Sequence, residues 1–248
     1  MNVIYFLWLR EMRRYVRSRV QIAAALGQPV LYLLALGFGL GPVFQSAGRG
    51  SYLQFVAPGI IGMTLLFTSI FSGIGVLWDR QFGFLRETLV APVPRARIMI
   101  GRTLGGATVA LLQGILVMIV CLIAGFRVTH LSAIPLVLLL MSLVAFLFAA
   151  LGTAIGSILE DMQGFQLVMN FVVMPLFFLS GALFPLTGLP RLLTIVTHLD
   201  PLAYGVDALR CALIGRSQFS LALDILVLGL AACACVAAGR YLFSRIEI

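Results

Sequence analysis

Few residues in this 248-residue chain are placed to do covalent chemistry. Its two histidines, His130 and His198, fall in loop-like stretches, and no Ser–His–Asp or paired-carboxylate arrangement is visible in the apolar segments. All seventeen basic residues are arginine. A Gly-rich phosphate loop ending in Lys therefore cannot be built, and the chain has no nucleotide site of that kind. Cys121, Cys211, Cys233 and Cys235 form no CxxC pair. On a helix Cys233 and Cys235 would point about 200° apart, so they read as inert thiols rather than metal ligands. Glu160-Asp161 is the one local acidic cluster. No catalytic residue, metal site or resident cofactor is expected.

What remains is the chemistry of contact. The stretch Asp79–Arg102 carries Arg80, Arg86, Arg95, Arg97 and Arg102 against Asp79 and Glu87, with Phe82, Leu85, Leu89 and Val90 at roughly helical spacing and Pro92 and Pro94 ending the pattern. Such a short amphipathic helix offers a partner groove a row of apolar anchors, with Arg86 and Glu87 setting register. Composition alone leaves open whether it docks on a partner or rests on lipid. Gln28, Gln113 and Asn170 are amides inside apolar segments, suited to hydrogen bonds between helices. Asp207 and Arg210 lie three apart, a spacing that permits an ion pair on one helix face.

The elements that must position these groups follow from composition. Hydrophobic residues make up 61% of the chain and charged ones 10%, too few charges to clothe a soluble domain, so the apolar surplus must face lipid. Six apolar segments, at about 22–44, 55–77, 98–125, 134–159, 165–184 and 221–243, are each long enough to cross a bilayer core of ~30 Å as a helix. The stretch 3–19 is amphipathic, with Ile4, Leu7, Trp8, Met12 and Tyr15 on one face and Arg10, Arg13, Arg14 and Arg17 on the other, the pattern of a helix lying at a membrane surface. Residues 185–220 are too polar to span. They read as two short helices, 189–197 and 204–214, broken at Asp200-Pro201 and re-entering from the outer face. An inside N-terminus puts twelve arginines in the cytoplasm (10, 13, 14, 17, 19, 80, 86, 95, 97, 102, 240, 245) and five outside (49, 127, 191, 210, 216), the bias that fixes orientation with both termini cytoplasmic. The GxxxG pairs 37–41, 101–105 and 152–156 permit close helix approach without naming a partner. The fold expected is thus all-α and integral to the membrane. It has six transmembrane helices, an amphipathic interfacial helix, a cytoplasmic helix between the second and third spans, and an outer re-entrant hairpin, in one domain covering 1–248. An autonomous channel or ion-coupled carrier would need charged groups along the spans, which are nearly free of them. Asp224 and Arg240 sit near opposite ends of the last.

Two blocks carry a family resemblance. Arg80-Gln-Phe-Gly-Phe-Leu-Arg-Glu87-Thr-Leu-Val-Ala-Pro92 followed by Gly101-Arg102, and Phe178-Leu-Ser-Gly-Ala-Leu-Phe-Pro185 continued by Leu189-Pro190 and Asp200-Pro201-Leu-Ala-Tyr-Gly-Val-Asp207-Ala-Leu-Arg210, resemble the permeases of type-2 ATP-binding-cassette transporters, especially the drug-resistance and nodulation-factor export branch. The resemblance implies a transport subunit of the bacterial inner membrane. It would pair with a second permease copy, identical or a close paralogue, and be powered by two cytoplasmic ATPase subunits that bind the ATP and Mg. No nucleic-acid partner is implied. The cargo would be hydrophobic or amphipathic: a drug, a lipid or a lipid-linked glycan. By the same resemblance 3–19 is a connecting helix and 80–91 the coupling helix, with Phe82, Leu85, Arg86, Glu87 and Leu89 meeting the ATPase. Asp200, Pro201, Tyr204, Asp207 and Arg210 belong to an outer gate, and Gln28, Asn170, Phe171 and Phe177 to the substrate path. Gln81 stands where relatives often carry an acid.

Overall fold

The computed structural model describes residues 3–39, 41, 51–82, 93–186 and 190–244. In chain order its helices are α1 Val3–Arg17, α2 Arg19–Gly39, α3 Tyr52–Phe71, α4 Ile74–Gln81, α5 Arg95–Ile123, α6 Ile134–Ile158, α7 Met162–Val168, α8 Met174–Leu179, α9 Arg191–Leu199, α10 Pro201–Ile214 and α11 Leu221–Ser244. Among the described residues five stretches are long and apolar enough to cross a membrane: Tyr52–Gln81, Arg95–Ile123, Leu131–Ile158, Met162–Leu179 and Leu221–Ser244. The bent pair Val3–Arg17 and Ile22–Gly37, turned by 71°, makes a sixth if read as one unit. The protein is an all-helical integral membrane protein.

Helix α3 forms the centre. Its Val56, Ala57, Ile60, Ile61, Leu65 and Leu66 are buried almost completely, and it is packed by α2, α5, α6 and α10. An apolar span can face lipid, but burial on every side from Val56 to Leu66 shows that protein surrounds this one. Helix α6 is the second pillar, lying between α3, α5, α10 and α11.

Small residues set how closely these pillars approach. Gly152 packs so near the end of α3 that a Cβ there would lie 2.6 Å from the Ile70 carbonyl oxygen, and one on Gly156 would lie 2.4 Å from that of Gly73. One GxxxG of the sequence is therefore spent inside the chain, on the break where α3 passes into α4. The pair Gly101 and Gly105 seats α1 instead: added Cβ atoms would fall 3.1 Å from the Ile4 Cα and 2.9 Å from the Glu11 Cγ. Helix α1 runs alongside the first half of α5 and in its direction. Trp8 Nε1 donates to Thr108 Oγ1 at 3.0 Å and the Tyr15 hydroxyl to Gln113 Oε1 at 2.5 Å. The apolar stripe read as an interfacial face thus has a protein partner along its length.

The stretch expected as one span at 165–184 is interrupted. A π-helical turn, Met169–Val173, separates α7 from α8, whose first turn holds Pro175. Proline has no N–H and crowds the carbonyl four residues back, and widening the preceding turn relieves both. In the outer hairpin the break falls where Asp-Pro predicts it, but Pro201 opens the second helix rather than preceding it. Asp200 Oδ1 accepts from Leu202 N at 2.8 Å as N-cap, and Gly215 closes the helix with φ of 68°. This joins Pro at the first helical position to Gly just past the last. The two hairpin helices also differ. Most of α9 is exposed, whereas Leu202–Arg210 is buried without interruption.

Candidate functional site

Three places gather the residues singled out by sequence. At the end of the bundle where α4 finishes, Phe82 is 70% exposed, while Leu85, Arg86, Glu87 and Leu89 lie outside the described residues. The helix leading to them is held firmly. Asp79 Oδ2 accepts from Arg10 Nη2 at 2.9 Å and also from Arg102 Nη2. Arg102 is 5% exposed, and its Nε has no partner among the described residues. On the other side of α4, Arg80 donates to the Leu159 carbonyl and to Glu160 Oε1, both at 3.3 Å, and Gln81 Nε2 reaches the Glu160 carbonyl at 3.5 Å. The Arg14 guanidinium lies over the Trp78 ring, 5.4 Å from its centre.

Beside the break between α3 and α4, α2, α3, α4 and the α7–α8 span line a half-open cavity of about 360 Å³. Gln28 and Asn170 line it together with Gln166 and an apolar wall that includes Phe67, Phe165, Met169 and Met174. Among the described residues it carries no charged side chain, and its methionines and phenylalanines adapt to apolar shapes. Phe171 and Phe177 are elsewhere. Phe171 is 76% exposed on the outside of the span, and Phe177 is 1% exposed, edge-on to Tyr32 and Phe67. A second cavity of about 350 Å³, nearer the α4 end, shares Phe71 and Ile74 with the first and adds Glu11, Arg14, Tyr15 and Trp78.

At the far end the hairpin holds the third group. Burial pushes the Asp200 carboxyl up to about 7, against the pull of its bond from Leu202 N. The Tyr204 hydroxyl donates to the His198 carbonyl at 2.9 Å, and its ring stacks on Phe219 with centres 4.9 Å apart. Burial, then the charge of Asp224, raises its pKa. The ion pair permitted between Asp207 and Arg210 does not form. Asp207 accepts from the backbone N–H groups of Gln218 and Phe219, closing the turn into α11, with both oxygens engaged. Arg210 lies over the Phe55 ring at 4.2 Å and donates to the Gly181 carbonyl at 3.0 Å. Backbone donors beside Asp207 outcompete a side chain that would have to leave its own aromatic and carbonyl partners. Burial lowers the Arg210 guanidinium to about 10, with Asp207 pulling it back.

A model of the family described as ABC-2 type transporter matches residues 2–214, from α1 through α10. The chain belongs to the ABC-2 type transporter family. Among this chain's relatives, the inner membrane transport permease YadH of Escherichia coli K12 is 31% identical over 224 residues, which cover 87% of this chain and 84% of YadH. Nodulation protein J of Sinorhizobium fredii is 28% identical over 224 residues, with 88% and 84% covered, and that of Rhizobium leguminosarum bv. viciae 29% over 228 residues, with 89% and 87% covered. This ABC-2 chain is a transmembrane transport subunit, and membership implies, in general terms, an ABC ATPase partner.

Sequence reasoning missed several contacts of this ABC-2 subunit. The Asp79 clamp joins residues 69 and 23 positions away. The one signal for it is that Asp79 is one of only two acids in an arginine-rich stretch. Asp224, read as a residue near a span end, is fully buried in the first turn of α11, and neither of its oxygens has a partner.

Proposed function

We propose that this subunit is the permease of an exporter powered by two separate cytoplasmic ATPase subunits, which bind the ATP and Mg, and that it works paired with a second permease copy, identical or closely related. The segment 80–91 is the coupling helix, seated on the ATPase through Phe82, Leu85, Arg86, Glu87 and Leu89. Both termini lie in the cytoplasm and the membrane is the bacterial inner membrane. The hairpin containing Asp200, Pro201, Tyr204, Asp207 and Arg210 is the outer gate, and residues 1–248 act as one permease domain. The observation that carries the reading is the uncharged cavity of about 360 Å³ between spans, lined by Gln28 and Asn170. An apolar chamber with a few amides suits a hydrophobic or amphipathic cargo. Its lack of charge gives no foothold for ion coupling, so the energy enters through another chain. Gln28 and Asn170 touch the cargo, while Phe177 braces the chamber wall from behind.

The test is transport in vesicles containing the subunit with its ATPase, using a fluorescent amphiphile. ATP-dependent movement should disappear when the ATPase is inactivated and should weaken in Asn170→Leu. Equal movement by the subunit alone would sink the proposal in favour of an autonomous carrier.

A further inference from the structure

The clamp on α4 has a geometry that fold stability alone does not require. Helix α4 is eight residues long and set off from α3 by the break at Ser72-Gly73. It ends at Gln81, two residues beyond Asp79, at the entry to the segment 83–92. Arg102, on the far side of that segment, donates to the same Asp79 oxygen that Arg10 reaches. One carboxylate therefore joins the end of α4 to both α5 and α1. The next two residues, Arg80 and Gln81, grip Leu159 and Glu160 in the turn between α6 and α7. Helix α7 starts there, capped by Asp161 through Gly164 N at 2.6 Å, and carries Met162, Phe165 and Gln166 into the cavity wall. Three adjacent side chains thus tie the end of α4 to α1, α5 and α7.

The charge arrangement is unusual for a purely structural device. Arg102 is 5% exposed and leaves its Nε unpartnered among the described residues. Apolar residues of similar volume generally hold a buried junction at least as well as ions do. What ions add is a defined register with discrete alternatives, because Asp79 can keep either arginine while releasing the other.

We propose that Asp79 is a positioning residue that makes the end of α4 move as one body with α1 and α5, and that Arg80 carries the same motion through Leu159 and Glu160 to α7 and the cargo chamber. This rests on the reading that the connection receives force from an ATPase, and it names the side chains that pass the force on. The acid expected at position 81 by analogy is not required, since Arg80 and Asp79 make the charged contacts on either side.

Two measurements separate the linkage from the transport reading. In the detergent-solubilised chain alone, hydrogen exchange should rise in α1 and the start of α5 for Asp79→Asn, and at the start of α7 for Arg80→Ala. In vesicles containing the ATPase, both variants should retain ATPase binding and hydrolysis but lose about tenfold in cargo moved per ATP, with Asp79→Glu recovering much of it. A merely structural role would lower the amount of assembled complex and leave that ratio unchanged. Unchanged exchange in α1, α5 and α7 would overturn the linkage even if no ATP-driven transport is found for the wild-type chain. Wild-type cargo per ATP in both variants would overturn the transmission role. If Asp79→Asn fails to fold, Arg80→Ala decides, because its partner Glu160 is 81% exposed and the fold does not hang on it.

Discussion

Replacing Gly152 by Ala sets two known effects against each other. A helical Gly→Ala change ordinarily gains about 0.5–1 kcal/mol, because alanine loses less backbone entropy on folding. At Gly152 the new Cβ would meet three backbone atoms of Ile70, at 2.6, 2.8 and 3.0 Å. The nearest is 0.8 Å short of the 3.4 Å at which ordinary contact begins. Backbone cannot rotate aside as a side-chain tip can, so α6 and α3 must separate by most of that distance. A gap of 0.5–1 Å forfeits roughly a quarter to a half of each dispersion contact along the seam. Buried Val144, Leu147, Phe148, Leu66 and Ile70 all depend on this packing. Overpacking of this kind costs about 1–3 kcal/mol, and contact with main chain places it at the upper end. The net expectation is a loss of about 2 kcal/mol. The companion change is Gly229→Ala in α11, where an added Cβ meets nothing within 4 Å. That variant should gain stability by about 0.5–1 kcal/mol. Thermal unfolding of both in the same detergent reads the difference, expected as several degrees of separation with Gly152→Ala below wild type. Equal midpoints, or a more stable Gly152→Ala, would refute the claim that this seam sets the α3–α6 distance.

Three further outcomes are expected. Arg210→Met should lose about 3 kcal/mol, as it removes a desolvated cation–π contact with Phe55 and leaves the Gly181 carbonyl short of a charged donor. Arg210→Lys should recover only part of this, since an ammonium does not stack as a planar guanidinium does. In the folded chain Asp200 keeps its proton up to about pH 7, against an ordinary value of 3.8. Between those values the folded state binds the proton that the unfolded chain has released, so this group's contribution is present below about pH 4 and lost as pH rises to 7. Asp200→Asn keeps the cap on Leu202 without a charge, so its melting temperature relative to wild type should climb from pH 4 to pH 8. Tyr15→Phe should cost about 1–2 kcal/mol by leaving the buried Gln113 amide with no partner, and adding Gln113→Leu should restore much of it.

The spans were legible because apolar length is a local property. The segments read at 98–125, 134–159 and 221–243 correspond to Arg95–Ile123, Ile134–Ile158 and Leu221–Ser244 within three residues at each end. Asp200-Pro201 announced the hairpin break for the same reason, since its effect on the backbone needs no distant partner. Contacts across the bundle were not legible. Nothing in the spacing of Arg10, Asp79 and Arg102 says that three separate helices bring them together. Asp207 and Arg210 looked like a pair because they are close in sequence, but the fold offers each a better partner. Gln28 and Asn170 were picked out as amides in apolar surroundings, and the structure brings them to one cavity. Phe171 and Phe177 enter the substrate path only through the family resemblance, and an aromatic residue in an apolar span does not say which way its ring faces.

The π turn at Met169–Val173 has a consequence for how this span can vary between related chains. Met174 N bonds to the Met169 carbonyl, five residues back, and both methionines border the chamber. In an unbroken α-helix residues five apart would lie about 140° from each other. The extra residue therefore acts as a phase adjuster, keeping the lining continuous across a proline. Removing one residue from 169–173 would let the wide turn close to an ordinary α-turn, so Phe177 and everything downstream would keep nearly its present facing relative to Asn170. A related chain can therefore gain or lose one residue at this turn and keep the lining that follows it, whereas the same deletion in an unbroken stretch of the span would rotate that lining by about 100°.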